Sequence, residues 1–281
     1  MTLKSFSGVA LAALAVTFLS SAAAQANDIS KCVLSGEKGS VAITPVNEGA
    51  ITVETALPNP AWWNGDTPDQ IADGYEYCLA ANIAHRAGFD KVNLVVSSFP
   101  ALIANANQNK DLAMATISIT DERKKVLSFS APYFSSDIGV MVKAGTKVDA
   151  ETVKTFRIGV LQGTTGAKFV SERIKPAEEK VYAENPAMFA ALMAGQIDAA
   201  ITDTAIILGQ AAKSNGALTV AAQYQTGEFY GAIYPKESPN KEAMDKIIDD
   251  MRADGTLAKL ASTYLADSWG ADPTKVPYLK P

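Results

Sequence analysis

Residues 113–123 read A-M-A-T-I-S-I-T-D-E-R, from Ala113 to Arg123, and within them an apolar strand end turns into hydroxyls (Thr116, Ser118, Thr120), two carboxylates and a guanidinium. Thr120 followed by Asp121 and Glu122 is a helix start: a capping hydroxyl, then acids over the positive end of the helix dipole. Arg123 falls in the first helical turn, where a cation opposes that dipole. Taken alone, the stretch is an ordinary strand-to-helix corner with a surface arginine. If the corner faces a cleft, Arg123 and the hydroxyls suit a small carboxylate, because a guanidinium matches a carboxylate with two parallel hydrogen bonds. The surrounding chain decides between the two.

Upstream, residues 112–115 form the strand that delivers Thr116, and Pro100 opens the helix before it. Residues 92–96 are a strand, 77–87 an amphipathic helix stopped at Gly88, and 51–57 an alternating strand that ends in P-N-P-A-W-W-N-G-D-T-P-D. Downstream, 138–143 is an apolar crossing into a second lobe. R-I-G-V-L (157–161) is a buried strand that runs into Q-G-T-T-G, a glycine turn whose backbone N–H groups open a helix and favour an anion. It is no phosphate loop, since Lys168 is followed by Phe169. Asn185-Pro186 starts another helix, and 197–202 is the strand that hands the chain to Asp203. Residues 223–234 are the return crossing, followed by helices over 240–254 and 257–266.

Residues 100–116 and 186–202 echo each other: proline-started helix, polar turn, aspartate, short apolar strand, polar residue. The fold class is therefore α/β with two largely parallel sheets. The lobes are expected at 27–136 with 229–281, and at 137–228, with 27–50 an N-terminal extension. In such sheets ligands lie beyond the carboxyl ends of the strands. Residues 56–63, 116–123, Thr164-Thr165 and Asp203 all stand there.

Composition narrows the function classes. A net charge of −5 and a pI near 5.1 exclude the basic face that nucleic acid requires. Residues 1–26 carry Lys4, an uncharged run over 6–19 and the small residues S-S-A-A-A-Q-A, which predicts a secretory signal cleaved after Ala26. No later run approaches a membrane-spanning length. Two cysteines, Cys32 and Cys78, in an exported chain point to a disulfide pinning 27–49 to the first lobe, with two free thiols as the alternative. The one histidine, His85, has no partner for metal binding or catalysis and reads as a surface residue. No metal or cofactor is expected.

A guanidinium, a helix start, hydroxyls and one carboxylate are complementary to a zwitterion. Arg123 and the Thr165 amide take its carboxylate, and Asp203 with Thr116 and Ser118 oxygens takes its ammonium. At these residues the chain resembles the polar-amino-acid family of bacterial periplasmic solute-binding proteins that serve ABC importers. The motifs are G-Y-E-Y-C-L-A from Gly74, F-P-A-L-I from Phe99, S-I-T-D-E-R from Ser118, F-S-A-P-Y-F from Phe129, L-Q-G-T-T from Leu161, I-D-A-A-I-T-D ending at Asp203, and A-D-G-T-L from Ala253. The resemblance runs from about Ile51 to Ala266. It implies the type II periplasmic-binding-protein fold, two α/β lobes joined by two crossing strands and closing on ligand, and an inner-membrane permease as partner of a monomer in the periplasm. It also implies that Thr116, Ser118, Arg123, Thr165 and Asp203, with Thr164 beside them, hold an amino-acid backbone. Ala56 and Asn59 stand where the family commonly has Asp and Tyr, Trp62 where it has Phe, and Phe99 keeps an aromatic position. Asn59, Trp62 and Phe99 are thus expected to face an uncharged side chain, with Glu76 the acid able to reverse that expectation by swinging into the cleft. A cyclohexadienyl dehydratase resembles the same family, so an enzyme on this fold is the competing function.

Overall fold

The computed structural model describes residues 26–281, so the expected leader at 1–26 lies outside the described residues apart from Ala26. The chain begins with β1 (Ala26–Asp28) and the wholly buried β2 (Ile51–Thr55). Then come α1 (Tyr75–Arg86), β3 (Lys91–Val96), α2 (Phe99–Ile103), β4 (Leu112–Ala113), α3 (Asp121–Lys124) and β5 (Ser128–Phe129). The long β6 (Phe134–Lys143) leads into β7 (Arg157–Leu161), α4 (Thr165–Phe169), β8 (Glu178–Tyr182), α5 (Asn185–Met193), β9 (Ala199–Asp203) and α6 (Thr204–Lys213). The longer β10 (Leu218–Tyr230) returns to β11 (Ile233–Tyr234), α7 (Lys241–Ala253), α8 (Thr256–Ala261) and α9 (Asp267–Trp269).

These strands form a six-stranded sheet, β1-β3-β2-β4-β11-β5, and a five-stranded sheet, β10-β6-β9-β7-β8. Parallel pairing holds for three strands of each sheet, β3-β2-β4 and β9-β7-β8. The flanking strands β1, β5, β11, β6 and β10 are antiparallel, so the sheets are mixed rather than largely parallel. The physical reason is connectivity. Helical crossovers make the parallel triplets, whereas β6 and β10 run directly between the units and meet head to tail from Leu218↔Lys143 to Tyr230↔Phe134.

Each sheet buries its own apolar side chains. Val53, Leu94, Leu112 and Met114 of the first sheet pack against α1, α7 and α8. The second sheet has cores on both faces, one around Val140, Val160 and Ile201 and one around Met141, Met188 and Leu192. That is the pattern of a parallel strand triplet covered by helices on two sides. Helix α1 is buried almost all round because the N-terminal extension covers its outer face: Cys32 is bonded to Cys78 across 5.3 Å between Cα atoms. The same face carries Asn82, which accepts from the Ser35 N–H and hydroxyl, and Arg86, paired with Asp254 at 2.6 Å. His85 stays partly exposed, its Nε2 3.2 Å from the Gly36 carbonyl. Residues beyond Gly270, grouped by sequence with the first lobe, also reach the second sheet: the Gln223 N–H donates to Pro277 O and the Leu279 N–H to Gln223 O, both at 2.8 Å.

The bond between Cys32 and Cys78 closes a loop of 46 residues, for which the chain-entropy model gives a stabilisation of about 4 kcal/mol. We expect the Cys32→Ser/Cys78→Ser variant to lose about 2–4 kcal/mol in urea unfolding, with reductant lowering the wild type to the same midpoint. Equal midpoints for oxidised wild type and variant would show that the bond adds nothing.

Candidate functional site

The carboxyl ends of the parallel triplets face one another. β2 runs into Ala56–Asn59, β3 into Ser97 and Ser98, β4 into Thr116, β7 into Thr164 and Thr165, β8 into Glu184 and Asn185, and β9 ends at Asp203. All of these, with Phe99 and Arg123, line a cavity of about 180 Å³ between the two sheets. Of the residues expected from sequence, Asn59, Phe99, Thr116, Ser118, Arg123, Thr164, Thr165 and Asp203 are brought together there. Trp62 is not. It is fully buried in the first core, edge-on to Tyr75, Phe134 and Tyr230 at centroid distances of 5.3, 5.0 and 5.5 Å. A turn with two adjacent tryptophans gives no sequence signal for which one faces a cleft, and here both go inward.

Arg123 sits on α3, whose start is capped as the sequence predicts: the Thr120 hydroxyl accepts from the Arg123 N–H at 3.1 Å. The helix is a single turn that ends at Lys124, and by Ser128 the chain has entered β5 against β11. The guanidinium spans both units, donating from Nη1 to Ser118 O at 2.7 Å and from Nη2 to Gly163 O at 3.0 Å. It lies 5.9 Å above the Phe99 ring. A guanidinium has five N–H donors, so three remain for a ligand anion. Burial pulls the Arg123 pKa down, and the carboxylates of Asp203, Glu228 and Glu122 oppose this. Beside it, Thr164 caps α4 by accepting from the Ala167 N–H at 3.0 Å, and the Ser118 and Thr165 hydroxyls lie 3.4 Å apart. Glu122 and Lys168 add an ion pair between the units at 2.7 Å, exposed and therefore weak.

Asp203, at the opposite pole, is 7% exposed, and its Oδ2 accepts from the Tyr230 hydroxyl at 2.8 Å. Trp62 packs against that same Tyr230 ring, so it supports the site without lining it. Burial, then the nearby Glu228 carboxylate, pushes the Asp203 carboxyl up to about 7, while Tyr230 and Arg123 pull it back. Glu228 also accepts from the Thr165 hydroxyl at 2.7 Å. Sequence reasoning did not single it out.

Thr116 has a left-handed backbone, φ +50°, which a β-branched residue adopts only when its surroundings impose it. Glu76 imposes it. Its Oε1 accepts from the Thr116 N–H at 2.7 Å and from the Tyr133 hydroxyl, and its Oε2 accepts from Trp63 Nε1 at 2.6 Å. Burial pushes the Glu76 carboxyl up to about 7 while these donors pull it back. With its oxygens occupied inside the first core, Glu76 does not reach the cavity. Further polar lining residues escaped sequence reasoning, among them Ser97, Ser98, Glu184 and Asn185. Ser97 donates to Glu54 Oε1 at 2.5 Å, and Glu54 Oε2 is paired with the fully buried Lys110 at 2.5 Å.

The arrangement offers an anion site at Arg123 and a cation site at Asp203, joined by hydroxyls. The Thr116 hydroxyl donates to Ala115 O at 2.7 Å, so toward the cavity it can only accept, as an ammonium requires.

The family model for bacterial extracellular solute-binding proteins, family 3, matches residues 51–267. The L-cystine-binding protein TcyJ of Escherichia coli K12 is 28% identical over 221 residues, covering 77% of this chain and 80% of that protein. The histidine-binding periplasmic protein of the same organism is 29% identical over 210 residues, covering 68% and 78%. Among solved structures, an amino acid ABC transporter substrate-binding protein of Streptococcus pneumoniae, bound to L-arginine, superposes with a TM-score of 0.68 at 28% identity, covering 79% of this chain and 95% of that one.

A pH series separates the two poles. The Asp203 carboxyl lies above its ordinary 3.8, so protonation stabilises the ligand-free protein below about pH 4, and that contribution is lost as pH rises through about 7. A bound ammonium needs the ionised form. We expect affinity for a zwitterion, whose own groups do not titrate between pH 5 and 8, to fall below pH 7 by up to about tenfold per unit in calorimetry. A flat profile would remove Asp203 from the cation site.

Proposed function

The chain belongs to the bacterial extracellular solute-binding proteins of family 3 and has the type II periplasmic-binding fold of its structural neighbours, and from that premise we propose that it is a periplasmic receptor delivering an uncharged L-α-amino acid, or a close derivative, to an inner-membrane ABC permease. One observation carries the reading: Arg123 and Asp203 stand in one cavity between two sheets, the cation with donors to spare and the acid held by Tyr230. Opposite charges fixed across a closing cleft are matched by a zwitterion, which brings both partners at once. We assign Thr116, Ser118, Arg123, Thr165 and Asp203 to the amino-acid backbone, with Thr164 holding the start of α4. Asn59 and Phe99 are assigned to the side chain. Trp62 is withdrawn from the ligand and kept as the support of Tyr230.

The uncharged side chain follows from what surrounds it. Ala56 leaves the first strand end without an acid, and Glu76 is turned inward. Glu184 does line the cavity, but it is exposed. A solvated carboxylate compensates poorly for the desolvation of a buried ammonium. Two acids behind the site are structural, Glu54 being held by Lys110 and Ser97 and Glu76 by three donors, and Asp203 is assigned to the ligand ammonium, which supports a receptor over an enzyme.

Calorimetry on a folded Arg123→Ala variant tests the clamp, with an expected loss of about 2–5 kcal/mol, because the bound carboxylate would be buried without its main partner. Wild-type affinity would make Arg123 a surface charge. Small-angle scattering tests closure. Bridging the two units favours the closed state over the open one, so a bound amino acid should lower the radius of gyration. An unchanged profile at saturation would contradict this.

A further inference from the structure

We infer that the side chain of the ligand ends in neutral N–H donors, as a carboxamide does, and that Ser97, Asn59, Glu184 and Asn185 select it. This rests on the amino-acid reading of the site and narrows it.

The strand order sets the direction of the cavity. Thr116 follows β4, which pairs with β11 just after the return strand β10, and Asp203 follows β9, which pairs with the crossing strand β6, whereas Ser97 and Glu184 follow β3 and β8. Two strand spacings separate β4 from β3 and β9 from β8, roughly 10 Å. That is the reach of an extended amino acid with a three- or four-carbon side chain. The backbone clamp thus occupies one end of the cavity, and the side chain points to the other.

That other end is rich in hydrogen-bond acceptors, with the Ser98 hydroxyl beside them still able to donate. Ser97 has one hydroxyl proton and donates it to Glu54 at 2.5 Å; Glu54 is 1% exposed and its other oxygen is paired with Lys110. The Ser97 oxygen can therefore only accept from a ligand. Glu184 contributes a carboxylate, which also only accepts. Asn59 is 6% exposed, and its Oδ1 is buried with no hydrogen-bond partner among the described residues; the Oδ1 of Asn185, on the facing unit, is likewise buried and unpartnered. A buried amide oxygen left unpaired is costly, and the cost is removed when a donor reaches it. Arg123 is the one cation lining the cavity among the described residues, and it sits at the clamp. A side chain ending in a carboxylate would meet Glu184 and the lone pairs of Ser97 with no cation to offset them. An apolar one would leave Asn59 and Asn185 unpaired. A cationic one would need a desolvated acid, which Glu184 is not. A primary amide satisfies the donors and the acceptors that the asparagines present.

Calorimetric titration with L-glutamine, L-glutamate, L-norleucine, L-arginine and L-alanine tests the inference. Glutamine and glutamate differ in the donor but not in size, and alanine reports the backbone clamp alone. Glutamine should bind at least a hundredfold more tightly than glutamate and at least tenfold more tightly than norleucine or arginine. Glu184→Gln, a change at an exposed position, should raise glutamate affinity at least tenfold. Glutamate or norleucine within threefold of glutamine, or arginine tightest of all, would overturn the inference while leaving the amino-acid reading in place. Failure of all five to bind would overturn that reading and the inference with it.

Discussion

A charge facing a cavity shut off from solvent must find an opposite charge or stay wet. Arg123 and Asp203 impose that condition on the site, and the rest of the molecule can be read as the means of meeting it. Each is held by neutral or backbone partners that fix its direction without neutralising it: carbonyl oxygens for the guanidinium, the Tyr230 hydroxyl for the carboxylate. A direct ion pair between them would have closed the site permanently. Separating them across the interface between two sheets leaves, on the proposed reading, the final neutralisation to a molecule that carries both charges.

The supporting layer explains why so much of the first core is polar. Glu76 is fully buried, and its two oxygens gather a backbone N–H, an indole N–H and a phenol. This network holds Thr116 in a left-handed conformation and aims its hydroxyl oxygen at the cavity. Tyr230 bridges the layers. It packs against Trp62 and Phe134, whose ring stacks on it at 5.8 Å, and it donates to Asp203. The disulfide and the Arg86–Asp254 pair stiffen the opposite face of α1, the helix that carries Glu76. Positioning of the cavity-lining residues is therefore transmitted through the hydrophobic core rather than through loops.

Much of this was legible in the sequence, and the parts that were not share a cause. The strand at Arg157–Leu161 has four buried residues out of five, so its apolar run announces it. Thr120 and Thr164 cap their helices as their positions predict. By contrast β8 is an edge strand, E-E-K-V-Y, with no buried residue, so neither an apolar run nor a clean alternation marks it. Glu184 and Asn185 were missed with it, although Asn185-Pro186 was read as a helix start. Ser97 follows a strand that was recognised, but its role depends on Glu54 and Lys110, residues 43 and 56 positions apart in their contacts. Glu228 lies where the β10–β6 register shifts, past the point where strand periodicity carries information. Trp62 failed for the opposite reason: an aromatic in a turn looks like a binding wall, and only packing reveals that it lies beneath one.

The central claim is that both charges of a zwitterion are required. It is tested most directly by calorimetric titration of the tightest-binding L-amino acid beside its α-amide, which lacks the carboxylate, and its deamino counterpart, which lacks the ammonium. Removing either group should weaken binding at least a hundredfold, since each loss leaves a charged protein group buried without a partner. If either derivative binds within tenfold of the parent amino acid, Arg123 and Asp203 do not form the clamp described here.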